Sequence, residues 1–236
     1  MHYEKLLQLC LIPTYFSLVL CLVTAILITH YWILGDFFTT AYFTLISPST
    51  KKQTDYYTDF VTSPTDAAIV SASTALMAMI IATIAWYKLR RSNMDMPENL
   101  PRRRFWVGSV CLTATANFCS AFAALVLHYT NKGPDSFGCH ESTDASGFVI
   151  MSCTREMAAC NFMPNMRDRF DQKFNAPWAI PLTCNEIMTV KWFQIIIMLN
   201  AIALFGMFAL QSWVRRKTRE DRMGIYSKKL MSHGEP

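Results

Sequence analysis

Cysteine is the residue in this sequence best suited to chemistry, and half of the eight cysteines fall in one polar segment. These four are Cys139, Cys153, Cys160 and Cys184. Clustered cysteines in a polar segment form structural disulfides in oxidising surroundings, or a reactive pair that exchanges electrons with other thiols. Reactive pairs usually have the Cys-x-x-Cys spacing, which is absent here. We therefore predict two structural disulfides.

The pairing of these cysteines is open among three connectivities. If the stretch from Cys153 to Cys160 (CTREMAAC) is one helix, the two residues lie about 10.5 Å apart along its axis, which is too far for a disulfide. Helical geometry then favours pairing each of them with Cys139 or Cys184.

Histidine offers a second kind of chemistry. His30 and His128 each precede a tyrosine at the end of an apolar run, where they could form a metal pair or a pH sensor, or belong to an interfacial aromatic belt. The sequence contains no His-Glu-x-x-His, no Gly-x-Ser-x-Gly and no phosphate-binding glycine loop. We predict no metal, no cofactor and no enzymatic activity.

Four long apolar segments must position these residues. The 236-residue chain is 52% hydrophobic and 17% charged, whereas about a quarter of the residues in a soluble domain are charged. A charge-free run of about 18 or more apolar residues is typical of a helix that crosses the membrane. We predict an all-α integral membrane protein, an antiparallel four-helix transmembrane bundle with a disulfide-bearing second outer loop. The spans are residues 10–33, 67–87, 105–129 and 192–214.

The basic residues predict the orientation of the bundle, because Lys and Arg concentrate in the short cytoplasmic segments of membrane proteins. Fourteen of the 22 Lys and Arg residues lie in residues 1–9, 88–104 and 215–236. We predict that these three segments, including both termini, are cytoplasmic. The loops 34–66 and 130–191 then lie on the outer side.

Nine basic residues directly flank the spans and are expected to contact anionic lipids of the inner leaflet. They are Lys88, Arg90, Arg91, Arg102, Arg103, Arg104, Arg215, Arg216 and Lys217. A net charge of +5 would otherwise suggest a nucleic-acid partner. The basic clusters lack the interleaved aromatic residues of nucleic-acid-binding proteins. We therefore predict the lipid bilayer, and no nucleic acid, as the partner of these charges.

Small residues line one face of each of the two middle spans. The stripes are Ser71, Ala75, Ala78 and Ala82 in the second span, and Ser109, Thr113, Ala116 and Ser120 in the third. Because lipid is as apolar as leucine, close packing of small residues is what holds membrane helices together. We predict that the two stripes meet each other; the alternative is that one of them faces a second copy of the chain.

Two asparagines lie within the spans, Asn117 in the third and Asn200 in the fourth. An unpaired amide in hydrocarbon costs several kcal/mol, so each needs a partner. We predict a hydrogen bond between helices for each asparagine; the alternative is that they line a polar path.

The layout of four spans, inner termini and a larger, cysteine-bearing second outer loop resembles the tetraspan membrane proteins, which include the tetraspanin, claudin-like and MARVEL-like families. Residues 130–191 lack the Cys-Cys-Gly of tetraspanins, and residues 36–66 lack the Gly-Leu-Trp of claudin-like proteins. Basic and then aromatic residues begin the third span, at Arg102-Arg103-Arg104-Phe105-Trp106. With this feature the chain is most similar in layout to MARVEL-like and tetraspanin-like proteins of fungi. The resemblance implies membrane organisation: clustering, curvature, partner scaffolding or sorting.

Together these features predict a non-enzymatic membrane organiser, scaffold or accessory subunit in the plasma membrane. Its expected partner is another membrane protein or a second copy of itself. One alternative is a subunit of an oligomeric channel or transporter, in which Asn117 and Asn200 face the lumen. The other is a membrane thiol oxidoreductase that uses the outer cysteines.

Overall fold

The computed structural model describes residues 3–39, 43–46, 53–143, 149–166 and 178–219. Its helices are α1 (Tyr3–Leu9), α2 (Leu11–Thr39), α3 (Ser63–Leu89), α4 (Leu100–Thr130), α5 (Arg155–Met157) and α6 (Ala179–Lys217). Four helical stretches in the described chain are long and apolar enough to cross a membrane: Glu4–Leu34, Ser63–Leu89, Pro97–Thr130 and Ala179–Lys217. The four apolar helices of the predicted membrane protein are therefore confirmed, but the protein is mostly helical rather than all-α, because the described chain also contains a sheet.

The long helices extend beyond the predicted spans, most clearly in α6. This helix begins at Ala179 rather than at residue 192, and it includes Glu186 and Lys191. The predicted outer loop 130–191 therefore includes the beginning of α6. The side chains of Glu186 and Lys191 both form ion pairs in the structure, so the helix continues through them.

Short 3-10 turns at Ser92–Asp95, Pro97–Asn99 and Met163–Met166 and a π turn at Ala158–Phe162 complete the helical structure.

Two stretches between the apolar helices form a four-stranded sheet, which the sequence analysis did not predict. Its strands are β1 (Phe43–Ile46), β2 (Gln53–Val61), β3 (His140–Thr143) and β4 (Val149–Thr154), in the order β1-β2-β4-β3. β2 and β4 pair in parallel from Tyr56↔Val149 to Val61↔Thr154, and the other two pairs are antiparallel. The sheet therefore joins the two predicted outer loops.

The chain packs as two compact units. What we call the Asp95 unit comprises the described residues of Met1–Cys21, Ser73–Cys119 and Ile197–Pro236, and what we call the disulfide unit comprises those of Leu22–Ala72 and Ser120–Ile196. Each of α2, α3, α4 and α6 contributes one segment to each unit.

Each unit has its own apolar core. In the Asp95 unit, alanines of α3 pack with larger side chains of α4 and α6: Ala78, Ala82, Ala85, Val110, Leu204 and Phe208. In the disulfide unit, β4 turns alternate residues inward onto the segment that follows it. The buried residues there include Val149, Met151, Cys153, Met157 and Phe162. That alternation is typical of a strand with one buried face.

The turn that leads from α4 to β3 depends on two glycines. Gly133 donates its backbone N–H to the carbonyl of Gly138 at 2.8 Å, and Gly138 has a φ of +80°. A Cβ atom on Gly133 would overlap the backbone carbonyl of Cys139, whereas one on Gly108 in α4 would meet nothing within 4 Å.

We expect Gly133→Ala to lower the free energy of unfolding by about 2 kcal/mol or more, because backbone rather than a flexible side chain must move. Gly108→Ala, the matched control, should raise it by about 0.5–1 kcal/mol through helix propensity. Thermal unfolding of both variants in detergent measures the difference. Equal stabilities of the two variants would contradict the close approach of Gly133 to the backbone of Cys139.

Candidate functional site

Both predicted disulfides are present in the disulfide unit, as Cys139–Cys153 and Cys160–Cys184. Cys153 and Cys160 each pair with one of the two outer cysteines of the cluster, as favoured from the sequence. The premise of one continuous helix is wrong, however, because Cys153 is in β4 and the helical segment starts at Arg155.

A short capped segment follows β4 and carries the charged residues of the site. Thr154 ends the strand, and its hydroxyl accepts a hydrogen bond from the backbone N–H of Met157 at 3.2 Å. This N-cap stabilises the first turn, α5, which continues into the π turn that contains Cys160. The side chains of Arg155 and Glu156 are buried as a result.

Glu156 is the centre of a buried ion cluster that links three parts of the disulfide unit. One carboxylate oxygen, Oε1, accepts from Lys191 Nζ of α6 at 2.8 Å. The other, Oε2, lies 3.1 Å from Nδ1 of His128 near the end of α4. All three side chains are about 95% shielded from solvent, with exposures of 4–5%. The sequence analysis did not predict this cluster, because its members are 28 and 35 residues apart.

Two opposing effects act on the ionisation of Glu156. Burial raises its pKa, while the hydrogen bonds from His128 and Lys191 and their charges lower it. The partners prevail, and the pKa of Glu156 lies below its ordinary value of 4.5. The carboxylate is therefore ionised at neutral pH and neutralises the buried ammonium group of Lys191.

Aromatic rings surround the two cations of the site. The guanidinium carbon of Arg155 lies 4.6 Å from the ring centroid of Trp32 in α2 and 5.1 Å from that of Phe60 in β2. Lys191 Nζ lies 4.3 Å from the ring of Tyr129. Cation–π contacts of this kind contribute about 0.5–2 kcal/mol each. The contacts of Arg155 connect the segment after β4 to α2 and β2, and the contact of Lys191 connects α6 to α4.

The two histidines considered as a metal pair each have a carboxylate partner instead. Nδ1 of His30 lies 2.7 and 2.9 Å from the two carboxylate oxygens of Glu186, and His128 faces Glu156. Among the described residues, no group of three or more His, Cys, Asp or Glu side chains could hold a metal ion. The histidines therefore function as partners of acidic side chains.

A second buried ion cluster lies in the Asp95 unit and corrects the prediction for two basic residues. Asp95 Oδ1 lies 2.8 Å from Nε of Arg215 and 3.4 Å from NH1 of Arg103. Arg215 is fully buried, and its NH1 also donates to the carbonyl of Leu89 at the end of α3, at 2.6 Å. Arg103 and Arg215 were predicted to contact lipid headgroups, but a buried carboxylate holds both of them inside the fold.

The other predicted lipid-contacting residues remain accessible. Lys88 is half-buried, and the exposed members are Arg90, Arg91, Arg102, Arg104, Arg216 and Lys217. The part of the predicted basic tail beyond Arg219 lies outside the described residues.

Both asparagines within the apolar helices form hydrogen bonds to a neighbouring helix. The hydroxyl of Thr74 in α3 donates to Asn117 Oδ1 at 3.3 Å. Asn200 Nδ2 donates to the hydroxyl of Ser17 at 2.6 Å and to the carbonyl of Pro13 at 3.1 Å, both in α2. Each asparagine thus forms the hydrogen bond between helices that the sequence predicts.

Gln194 is a buried polar residue that the sequence analysis overlooked. Its Oε1 accepts from Ser71 at 2.7 Å, and both side chains are fully buried. Ser71, predicted only as a small packing residue, thus joins α3 to α6. Counting glutamines as well as asparagines within the apolar helices would have singled out Gln194 as a residue that needs a partner.

The small stripe of α3 is buried as a whole, but the stripe predicted for α4 is displaced by one residue. Ser71, Ala75, Ala78 and Ala82 are at most 1% exposed. In α4, Ala116 is exposed and Ser109, Thr113 and Ser120 are half-buried, whereas the buried face is Val110, Ala114, Asn117, Ala121 and Ala124. The hydroxyls of Ser109 and Thr113 donate to carbonyls of α4 itself, so neither needs a partner on α3. Asn117, which bonds to Thr74, lies on the buried face instead.

We expect Glu156→Gln to lower the free energy of unfolding by about 3–5 kcal/mol at neutral pH, because it leaves the ammonium group of Lys191 buried without a counter-charge. Glu141→Gln, on the exposed edge strand β3, is the control and should change stability by less than about 0.5 kcal/mol. Thermal unfolding of the two variants in detergent measures the loss.

The same cluster determines the response to acid. Since the pKa of Glu156 is lower in the folded state, its stabilising contribution is complete above the ordinary pKa of 4.5 and is lost as the pH falls through the folded-state value. The parent protein should therefore lose stability below about pH 4.5, and Glu156→Gln should lose less over the same range. Parallel acid dependences in the two proteins would exclude Glu156 as the titrating group.

For the Asp95 cluster we expect Arg215→Met to lower the free energy of unfolding by about 3–5 kcal/mol, because the buried Asp95 carboxylate loses its ion pair with Arg215 at 2.8 Å. Arg216→Met removes an exposed neighbour and should cost about 0.5 kcal/mol or less. The melting temperatures of these two variants give a direct comparison. Similar values would show that Arg215 is not buried as described.

Comparison with family models, with curated proteins and with solved structures finds no match to this chain.

Proposed function

We propose that this protein is a non-enzymatic four-span membrane protein that acts as an organiser, scaffold or accessory subunit. Its four apolar helices would form an antiparallel bundle with both termini in the cytoplasm. Its disulfide unit would present a surface to a membrane-protein partner or to a second copy of the chain. The observation that carries this proposal is the disulfide unit itself, in which two disulfides, a mixed sheet and a buried ion cluster stabilise the connections between apolar helices.

The distribution of charge and cysteine supports the proposed orientation. The Asp95 unit includes the predicted cytoplasmic segments, with their exposed Arg and Lys side chains. The disulfide unit includes both predicted outer loops, and disulfides persist on the oxidising side of a membrane. Export to the oxidising side fits the plasma membrane, which we propose as the location.

The two alternative functions have less support. Asn117 and Asn200, the candidates for a polar lumen, are engaged in hydrogen bonds between helices. Thiol oxidoreductases usually carry a reactive Cys-x-x-Cys pair, which this sequence lacks. Cys10 and Cys21, which are not part of either disulfide, are buried within α2 or beside it.

The orientation can be tested with glycosylation sites, because the sequence contains no Asn-x-Ser/Thr sequon. Glu141→Asn creates one at residues 141–143, on the exposed strand β3, and Leu230→Asn creates one at residues 230–232 in the tail. We expect only Glu141→Asn to gain a glycan, seen as an enzyme-sensitive shift in gel mobility. A glycan on Leu230→Asn would show that the tail lies on the outer side, which contradicts the proposed orientation.

The organising role can be tested by crosslinking in intact membranes. A photoreactive side chain at exposed Glu141 should give a discrete protein adduct, whereas one at Leu112, which is 72% exposed on an apolar helix, should react with lipid. Ion flux through reconstituted protein, without an adduct at position 141, would favour the channel alternative.

A further inference from the structure

The two disulfides of the disulfide unit differ in their access to solvent. Cys139 and Cys153 are buried, with exposures of 0% and 1%, and belong to the apolar core under β4. Cys160 and Cys184 are both half-buried. Because a thiol–disulfide exchange needs an approach to sulfur, access of this kind separates reactive from inert disulfides.

A cavity lies beside the more accessible disulfide. It has a volume of about 220 Å³, and both Cys160 and Cys184 line it. Pro164, Pro181 and Asn185, which are exposed, form part of its wall. The cavity is partly open, and it gives a small molecule a route to the disulfide from outside the fold.

We propose that Cys160–Cys184 is a redox modification site, an exchangeable disulfide that reacts with small thiols of the glutathione class through this cavity. This inference goes beyond the proposed organising function and does not depend on it. The Cys139–Cys153 bond, which is buried in the core, does not exchange under the same conditions.

The exchange balances in two steps. The thiolate of the small thiol attacks the sulfur of Cys160 or Cys184, so that a mixed disulfide forms, the protein S–S bond breaks and the other cysteine leaves as a thiolate. That thiolate takes a proton from solvent. A second small thiolate attacks the mixed disulfide, releases the oxidised small-molecule disulfide and leaves the second cysteine as a thiolate, which is protonated in turn. Two electrons pass from two small thiols to the protein.

The structure around the bond allows it to open without loss of the fold. The segment 155–162 is joined to α6 twice, by Cys160–Cys184 and by the ion pair of Glu156 with Lys191 at 2.8 Å. When the disulfide is reduced, the ion pair and the aromatic contacts of Arg155 still hold the start of the segment. Phe162 of the π turn also stays packed in the apolar core, so the segment keeps its place when the disulfide opens.

The experiment treats intact membranes that contain the full chain with reduced glutathione over a time course. Free thiols are then trapped with one alkylating reagent, the remaining disulfides are reduced and labelled with a second, and the peptides are quantified by mass spectrometry. We expect Cys160 and Cys184 to become free roughly tenfold faster, or more, than Cys139 and Cys153. Equal rates, faster opening of Cys139–Cys153, or no opening of either bond would overturn the proposal.

A pair of variants tests the cavity as the route. Asn185→Trp places a bulky ring at the exposed wall of the cavity and should slow the release of Cys160 and Cys184 several-fold. Thr189→Trp is the matched control, because it is exposed one turn further along α6 and does not line the cavity. An unchanged rate in Asn185→Trp, or equal slowing in both variants, would show that the thiol does not approach through this cavity.

Discussion

Each unit of this protein buries one carboxylate between two basic side chains, and this requirement constrains how the rest of the chain can pack. Asp95 is held by Arg103 and Arg215, and Glu156 by His128 and Lys191. A charge that leaves water loses several kcal/mol of hydration, which it regains only if a partner lies at hydrogen-bonding distance. In both clusters at least one partner comes from a remote part of the sequence. Loss of one member of a cluster is therefore costly, because it leaves a buried charge without its counter-charge.

The same side chains also satisfy the ends of helices, where backbone groups have no partner within the helix. Arg215 donates to the carbonyl of Leu89, the last residue of α3, while it neutralises Asp95. Thr154 caps α5 and so directs Glu156 toward Lys191. The hydrogen bonds of the backbone groups at helix ends and the burial of charge are thus coupled. A helix end forms correctly only when its distant partner is in place.

The sequence predicts those features that follow from the composition of one continuous stretch, or from the need of a particular side chain for a partner. The four apolar helices, the two disulfides and the bonds of Asn117 and Asn200 are of this kind. The Glu156 cluster, the sheet and the burial of Arg215 depend on contacts between distant segments, and no local pattern specifies them. The face of α4 was misjudged for a related reason. Small residues occur on two adjacent faces of that helix, and the buried face is the one that carries Asn117, which bonds to Thr74.

The segment after β4 is held to α6 by a covalent bond and by an ionic one. An α-helix of three residues followed by a single π turn has no stability of its own, since helix nucleation is unfavourable. Cys160 and Cys184 are 24 residues apart in the sequence. A disulfide that closes a loop of this length lowers the entropy of the unfolded chain and so stabilises the folded state by about 3 kcal/mol. Such a gain is comparable to the cost of breaking a buried ion pair, about 3–5 kcal/mol. Two links of similar strength but different chemistry therefore hold one segment to α6, and one of them can be lost while the other keeps Glu156 in place.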